Sequence, residues 1–357
     1  MLHYVDHRAA PDRWSHDLGV SREAVELYLA SDVIDLHIDS FIWNRIFGYD
    51  LSRRHGRGLF GGRFYSQVDF PRILEAQVTG ATWVITTNPF VPGARRRRAL
   101  FQRNLERLKS IFAEVADQFS LVRNAAEYEE ARRSGKHGAF IGVQGGNALD
   151  DDLASLDAVE SDLILRITLV HLSTSSLGAT SAPLKLGEDG LTSFGRDYVA
   201  RLNEKKIFVD LAHISKRGFW DVIDVHDKSQ PLLVTHTGVS GVHSHWRNLD
   251  DAQLRAIADT GGTIGVMYQS SFLGDPPWGG SASSILAHLE HITHTVGEDH
   301  ASLGSDWDGA IVPPRDMPTC LELPRLVELM LQRGWDDTRI QKVLGQNFLR
   351  VVRDLRG

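Results

Sequence analysis

The sequence predicts an α/β chain closed into a (β/α)8 TIM barrel. Three observations carry that reading. Eight short apolar or β-branched runs recur along the chain, amphipathic stretches separate most of them, and histidine or aspartate stands at the end of several runs. Alternating strand and helix signals imply a parallel sheet covered by helices. Eight such units suit a closed barrel, whose active sites lie at the carboxyl ends of the strands. An open doubly wound sheet is the alternative, but no glycine-rich nucleotide turn supports it.

The runs are VIDLH (33–37), ATWVITT (81–87), AFIGVQ (139–144), LILRITLVH (163–171), IFVDLAH (207–213), LLVTH (232–236), GTIGVMY (262–268) and ASLGSD (301–306). Residues 1–30 precede the first run and read as an extension packed on the barrel; residues 31–357 read as one domain. Residues 44–66, rich in Arg and Gly, form a long first loop of the kind that shapes active sites. A long helix is expected from Arg95 to Ala116, after Pro92-Gly93. Ser193 offers a capping hydroxyl to a helix that ends in basic residues. Asp250-Asp251 opens another helix, which Gly261-Gly262 stops.

Composition excludes several classes. The chain has 357 residues, 42% apolar and 24% charged, which is the balance of a globular protein with a real core. With 39 basic and 46 acidic residues the net charge is -7, a poor match to nucleic acid or an anionic membrane. The single cysteine, Cys320, excludes an intrachain disulfide and a cysteine-built zinc site. No apolar targeting segment opens the chain, and no charge-free stretch of about 20 residues occurs. A cytoplasmic location is expected.

Sixteen histidines leave imidazole and carboxylate as the available metal donors. His37 and Asp39 form an H-x-D pair at the end of the first run; side chains at i and i+2 of an extended segment face the same way. His171 ends the fourth run, His213 the fifth, His236 the sixth and Asp306 the eighth. In a barrel these ends converge on one face. Imidazoles and carboxylates meeting there would hold a metal, zinc being the first candidate.

These residues carry a resemblance. DLHIDSFIW (35–43) is similar to the Asp-x-His-x-Asp-x-x-Trp opening of the membrane (renal) dipeptidases, peptidase family M19 of the amidohydrolase superfamily. Residues 190–215, THTGV (235–239), HWRN (245–248), LGSDWDG (303–309) and GQNFLRV (345–351) resemble further segments of that family. The resemblance implies a barrel of the metal-dependent hydrolase type with two zinc ions at its mouth. His37 and Asp39 would hold one ion, and His213 and His236 the other. His171 would stabilise the oxyanion, Arg247 would bind the substrate carboxylate, and Asp306 would handle the proton and contact the substrate amine. The implied substrate is a dipeptide or related small amide with a free carboxylate, and a homodimer is the implied assembly. A metal-bound nucleophile works at neutral pH, and Arg suits a carboxylate because its fork donates two parallel hydrogen bonds.

One position departs from the family pattern. The family's Glu-Gly-Gly motif reads VQGGNAL (143–149) here, so Gln144 occupies the place of the metal-bridging glutamate. Glutamine keeps an acceptor oxygen but loses the charge. Two dications about 3.5–4 Å apart repel strongly. One metal is lost, or the pair is loose, or other ligands supply the charge. One tight zinc site is the expectation. His37, Asp39 and His213 could gather that ion with Asp306 nearby, which would free His236. The alternatives are a specialised mononuclear amidohydrolase of a biosynthetic pathway and a metal-poor pseudoenzyme that binds a carboxylate ligand.

Two further groups read as solvated surface: the helical trio His288, His291 and His294, and the basic run Arg95–Arg98. Asp150-Asp151-Asp152 reads as a helix cap.

Overall fold

The computed structural model describes residues 2–58, 60–157, 162–183, 187 and 189–357. The strands are β1 (Ile34–Ile38), β2 (Gly80–Thr86), β3 (Phe119–Leu121), β4 (His137–Gln144), β5 (Ile164–Thr168), β6 (Phe208–Asp210), β7 (Leu233–Thr237), β8 (Thr263–Val266) and β9 (Ala301–Leu303). Eight of them follow the order β1-β2-β4-β5-β6-β7-β8-β9 with parallel neighbours, and helices cover the spaces between them. The last strand returns to the first. Ile38 bridges Trp307, Asp39 N–H donates to Trp307 O at 2.9 Å, and Asp306 N–H donates to His37 O at 3.1 Å. The result is the nearly closed barrel that the eight runs imply.

Two elements escape the sequence pattern. β3 has only three residues and pairs with the outer part of β4, too short a segment to show a period. The helix Phe41–Phe47 occupies the start of the expected first loop; Gly48, at φ 68°, ends it. The expected long helix spans Ala94–Ala113.

Segments before β1 pack into the same core as the strands. The helix Arg22–Ala30 starts at Ser21, whose hydroxyl accepts from Ala24 N–H, and it buries Val25 and Tyr28. Tyr28 donates to Ala76 O at 2.7 Å. The C-terminal helix Asn347–Arg356 buries Phe348, Val351, Val352 and Leu355. Each such large apolar side chain stabilises the fold by about 1.5–3 kcal/mol. Among the described residues no helix is long and apolar enough to cross a membrane.

The solvated-surface expectations hold for Arg95, Arg96 and His294, which are exposed, but not throughout. His288 is buried, and its Nδ1 accepts Val239 N–H at 2.8 Å, so it props the loop that follows β7. A helical period locates a face but not which face meets the core. Arg97 and Arg98 pair with Asp150 and Asp151 across about fifty residues, contacts no local pattern reveals. Asp152 does cap, accepting from Ser155 N–H.

Candidate active site

Each site residue sits at the mouth because a strand ends there. His37 lies in β1 and His236 in β7. Gln144 is the last residue of β4. Asp39 immediately follows β1, while His171, His213 and Asp306 each stand three residues beyond β5, β6 and β9. His213 and Asp306 adopt left-handed backbone at φ 67° and 63°, an uncommon conformation for side-chain-bearing residues that clusters at functional sites.

The rings converge. His213 Nε2 and His236 Nε2 lie 2.8 Å apart, and the His37 and His236 ring centres 3.8 Å. His37 Nε2 is buried without a hydrogen-bond partner, 3.6 Å from Asp39 Oδ2 and 3.7 Å from Asp306 Oδ1. Donor atoms of His37, His236 and Asp306 all lie within 4.8 Å of one another. The structure therefore brings His236, not His213, into the closest group with His37 and Asp306.

Gln144 does not stand apart from the carboxylates. Its Nε2 donates to Asp39 Oδ2 at 3.0 Å, and Thr86 Oγ1 donates to Asp39 Oδ1 at 2.5 Å. The β2–β4 register, which sets Thr86 opposite Gln144, delivers both donors together. Gln144 Oε1 is left buried and unpartnered. Gly145 follows at φ 94°, where an added Cβ would meet Thr87 Cβ at 3.1 Å, so the turn after Gln144 requires glycine.

Electrostatics separates the two carboxyl groups. Burial and the nearby Asp39 charge push the Asp306 carboxyl well above its usual range. Burial opposes ionisation of Asp39 too, but the His37 imidazole beside it and the hydroxyl of Thr86 hold its carboxyl low. Such a split assigns a proton to one acid and a charge to the other. Burial lowers His171 to about 4 and leaves its ring neutral. Arg247 is 4% exposed; one nitrogen donates to His236 O at 2.8 Å, and Nε has no partner. Burial brings it down to about 10, so it stays charged at neutral pH.

Asp39, Gln144, His171, His213, Arg247 and Asp306 line a cavity of about 140 Å³ together with Leu172, Trp246, Met267, Phe272 and Ile311. The donor set of neutral imidazole and carboxylate oxygen, with buried unpartnered atoms aimed inward, fits a divalent ion such as zinc.

Residues 21–356 match the membrane dipeptidase family, peptidase family M19. The chain belongs to that family. It is a dipeptidase-like, metal-dependent hydrolase. An M19 dipeptidase AC structure superposes with a TM-score of 0.81 at 26% identity, covering 91% of this chain and 98% of that one. A metallopeptidase from Rhodobacter sphaeroides, liganded with a phosphinate mimic of L-Ala-D-Ala, gives 0.80 at 25%, covering 91% and 99%. An uncharacterised protein from the pqqA 5' region of Klebsiella pneumoniae is 29% identical over 259 residues, covering 70% of this chain and 93% of that protein.

Beside its M19 motifs the site uses residues that pattern reading passed over. Thr86 holds Asp39, and Arg166, Asp210 and Thr235 lie under the histidines. A usable signal existed for Arg166: an arginine inside the apolar run LILRITLVH is buried, so it needs partners.

Proposed function

We infer that the enzyme hydrolyses a dipeptide, or a related small amide with a free carboxylate, using zinc bound in one tight site. Arg247 carries this reading. A buried guanidinium with an unpartnered Nε, facing a small cavity beside four histidines, is an anion receptor awaiting its ligand. The substrate carboxylate would dock on its fork. That contact sets the distance from carboxylate to scissile bond, so the amide carbonyl reaches the histidines.

His37, His236 and Asp306, with Asp39 alongside, are the residues that would hold the ion. Bound there, zinc would polarise the carbonyl and supply a nucleophile at neutral pH. His171 faces the same cavity with a buried, unpartnered Nδ1 and would steady the developing oxyanion. Asp306, which also lines the cavity, would take the proton released by the attacking water and pass it to the leaving amine. The apolar wall of Trp246, Phe272 and Ile311 would exclude water and receive a side chain.

Charge supports one ion in place of a pair. Gln144 brings no charge, and its amide occupies one lone pair of Asp39. Arg247 adds a positive charge near Asp306. A single dication leaves the site modestly positive, which a substrate carboxylate then neutralises; two leave it strongly positive.

A single domain over 31–357 with an N-terminal extension packed on it, cytoplasmic placement and a homodimer complete the proposal; the lone, buried Cys320 suits a reducing compartment. The test is a dipeptide panel of both chiralities, assayed with elemental analysis of the same protein. Hydrolysis of free-acid dipeptides with one zinc per chain supports the reading. Metal-loaded protein that cleaves none of them overturns it.

A further inference from the structure

Arg247 and the aromatic wall of the cavity come from one short stretch of chain. His245, Trp246 and Arg247 are consecutive in the loop after β7, and Phe272 lies in the segment after β8. The Trp246 and Phe272 rings meet edge-on with centroids 5.6 Å apart, and the His245 ring stacks on Phe272 at 4.2 Å. Backbone contacts fix this plate. Arg247 N–H donates to His245 Nδ1 at 3.2 Å, while Asn248 Nδ2 donates to His243 O at 2.9 Å and to Phe272 O at 2.8 Å, joining the two segments. Gln269, also in the cavity wall, spends its amide within it: Nε2 donates to Ser271 Oγ at 2.8 Å, and Oε1 accepts from Val312 N–H at 2.5 Å. Rings held in this way are in place before a ligand arrives, which lowers the ordering cost of binding.

Covalent geometry decides which half of a substrate meets the plate. The free carboxylate of a dipeptide and the side chain of the carboxyl-terminal residue share one carbon. A carboxylate docked on Arg247 therefore leaves that side chain beside the neighbouring Trp246. The amino-terminal residue lies beyond the amide, toward the histidines. The ionised side chains of the cavity wall are Asp39, Asp306 and Arg247, and each already has a task. A polar side chain laid on the ring faces gives up water without a matching partner, whereas an apolar one gains contact and an aromatic one can pair with the rings.

We propose that the Trp246–Phe272 plate is the specificity element for the residue bearing the free carboxylate, and that this residue is apolar, with aromatic and branched aliphatic side chains favoured. The proposal rests on the Arg247 reading above and concerns binding of one half of the substrate, not turnover.

The test uses the full chain and N-acetyl amino acids of both chiralities, each a free carboxylate with one side chain and one amide. Dissociation constants are read by NMR titration and folding by circular dichroism. In the preferred chirality N-acetylleucine should bind about 10-fold tighter than its near-isostere N-acetylasparagine, and N-acetylphenylalanine about 10-fold tighter than N-acetylalanine. Trp246→Ala should bring the phenylalanine-to-alanine ratio toward one, and Trp246→Phe should keep most of it. Arg247→Lys should weaken every ligand and leave their order unchanged, which separates the anchor from the plate. Should a variant fail to fold, the wild-type ranking decides alone. Equal affinities across the wild-type series, tighter binding of the asparagine ligand, or an unchanged ratio in folded Trp246→Ala overturns the proposal. A wild type that binds none of the four ligands overturns the Arg247 reading and this proposal with it. Binding in the expected order by a protein that cleaves no dipeptide overturns the dipeptide-substrate reading alone and supports the plate assignment.

Discussion

Gln144 donates a hydrogen bond to Asp39 at 3.0 Å and so restrains the carboxylate beside it. Gln144→Glu would replace that attraction with two facing carboxylates. Zinc per chain should rise from about one toward two, with faster dipeptide hydrolysis at matched zinc. The metal-free variant should melt below the metal-free wild type. Two tightly held ions in the wild type would refute the single-site view.

Arg247→Lys keeps the charge and loses the fork. Free-acid substrates should bind less tightly by about 1.5–3 kcal/mol, their amides much less affected. KM measured for matched acid and amide pairs checks this; equal losses would remove the carboxylate role.

His171→Ala should lower turnover by roughly 10²–10³ while the zinc content stays unchanged. Elemental analysis of the same preparation separates the roles, because loss of metal would make His171 a ligand.

His137 supplies a pH test away from the site. Its Nδ1–H donates to Val78 O at 2.8 Å and its Nε2 accepts from Trp83 Nε1 at 3.2 Å, so the neutral ring is fully used. Burial lowers it to about 4 from an ordinary 6.5. Above pH 6.5 neither folded nor unfolded ring holds the extra proton, and stability is unaffected. Between about 6.5 and 4 the unfolded chain takes up a proton that the folded one refuses, so stability falls, by about 3 kcal/mol in all. Urea unfolding across that range should show the gap between wild type and His137→Gln narrowing as pH drops. A constant gap would reject the assignment.

Much of this was legible in advance because it is local. Strand runs follow from β-branched content, and His37, His213, His236 and Asp306 stand where runs end. What escaped is non-local. The Thr86–Asp39 contact depends on the β2–β4 register, and Arg97–Asp150 on the packing of the helix after β2 against the segment after β4. His288 is buried where a solvated face is expected, because one helix stripe looks alike whether it meets core or water. The closest metal group includes His236 because ring directions, not strand positions, decide which nitrogens meet.

The seam between β9 and β1 bears on how the enzyme is made. His37 and Asp39 leave the ribosome nearly 270 residues before Asp306, whose backbone bonds to His37 across that seam. Long-range pairing of this kind forms late in folding. A nascent chain therefore carries half of the candidate metal site for most of its synthesis, with nothing to close it. Metal loading belongs to the finished molecule, and any lesion that slows the final strand delays the chemistry and the fold together.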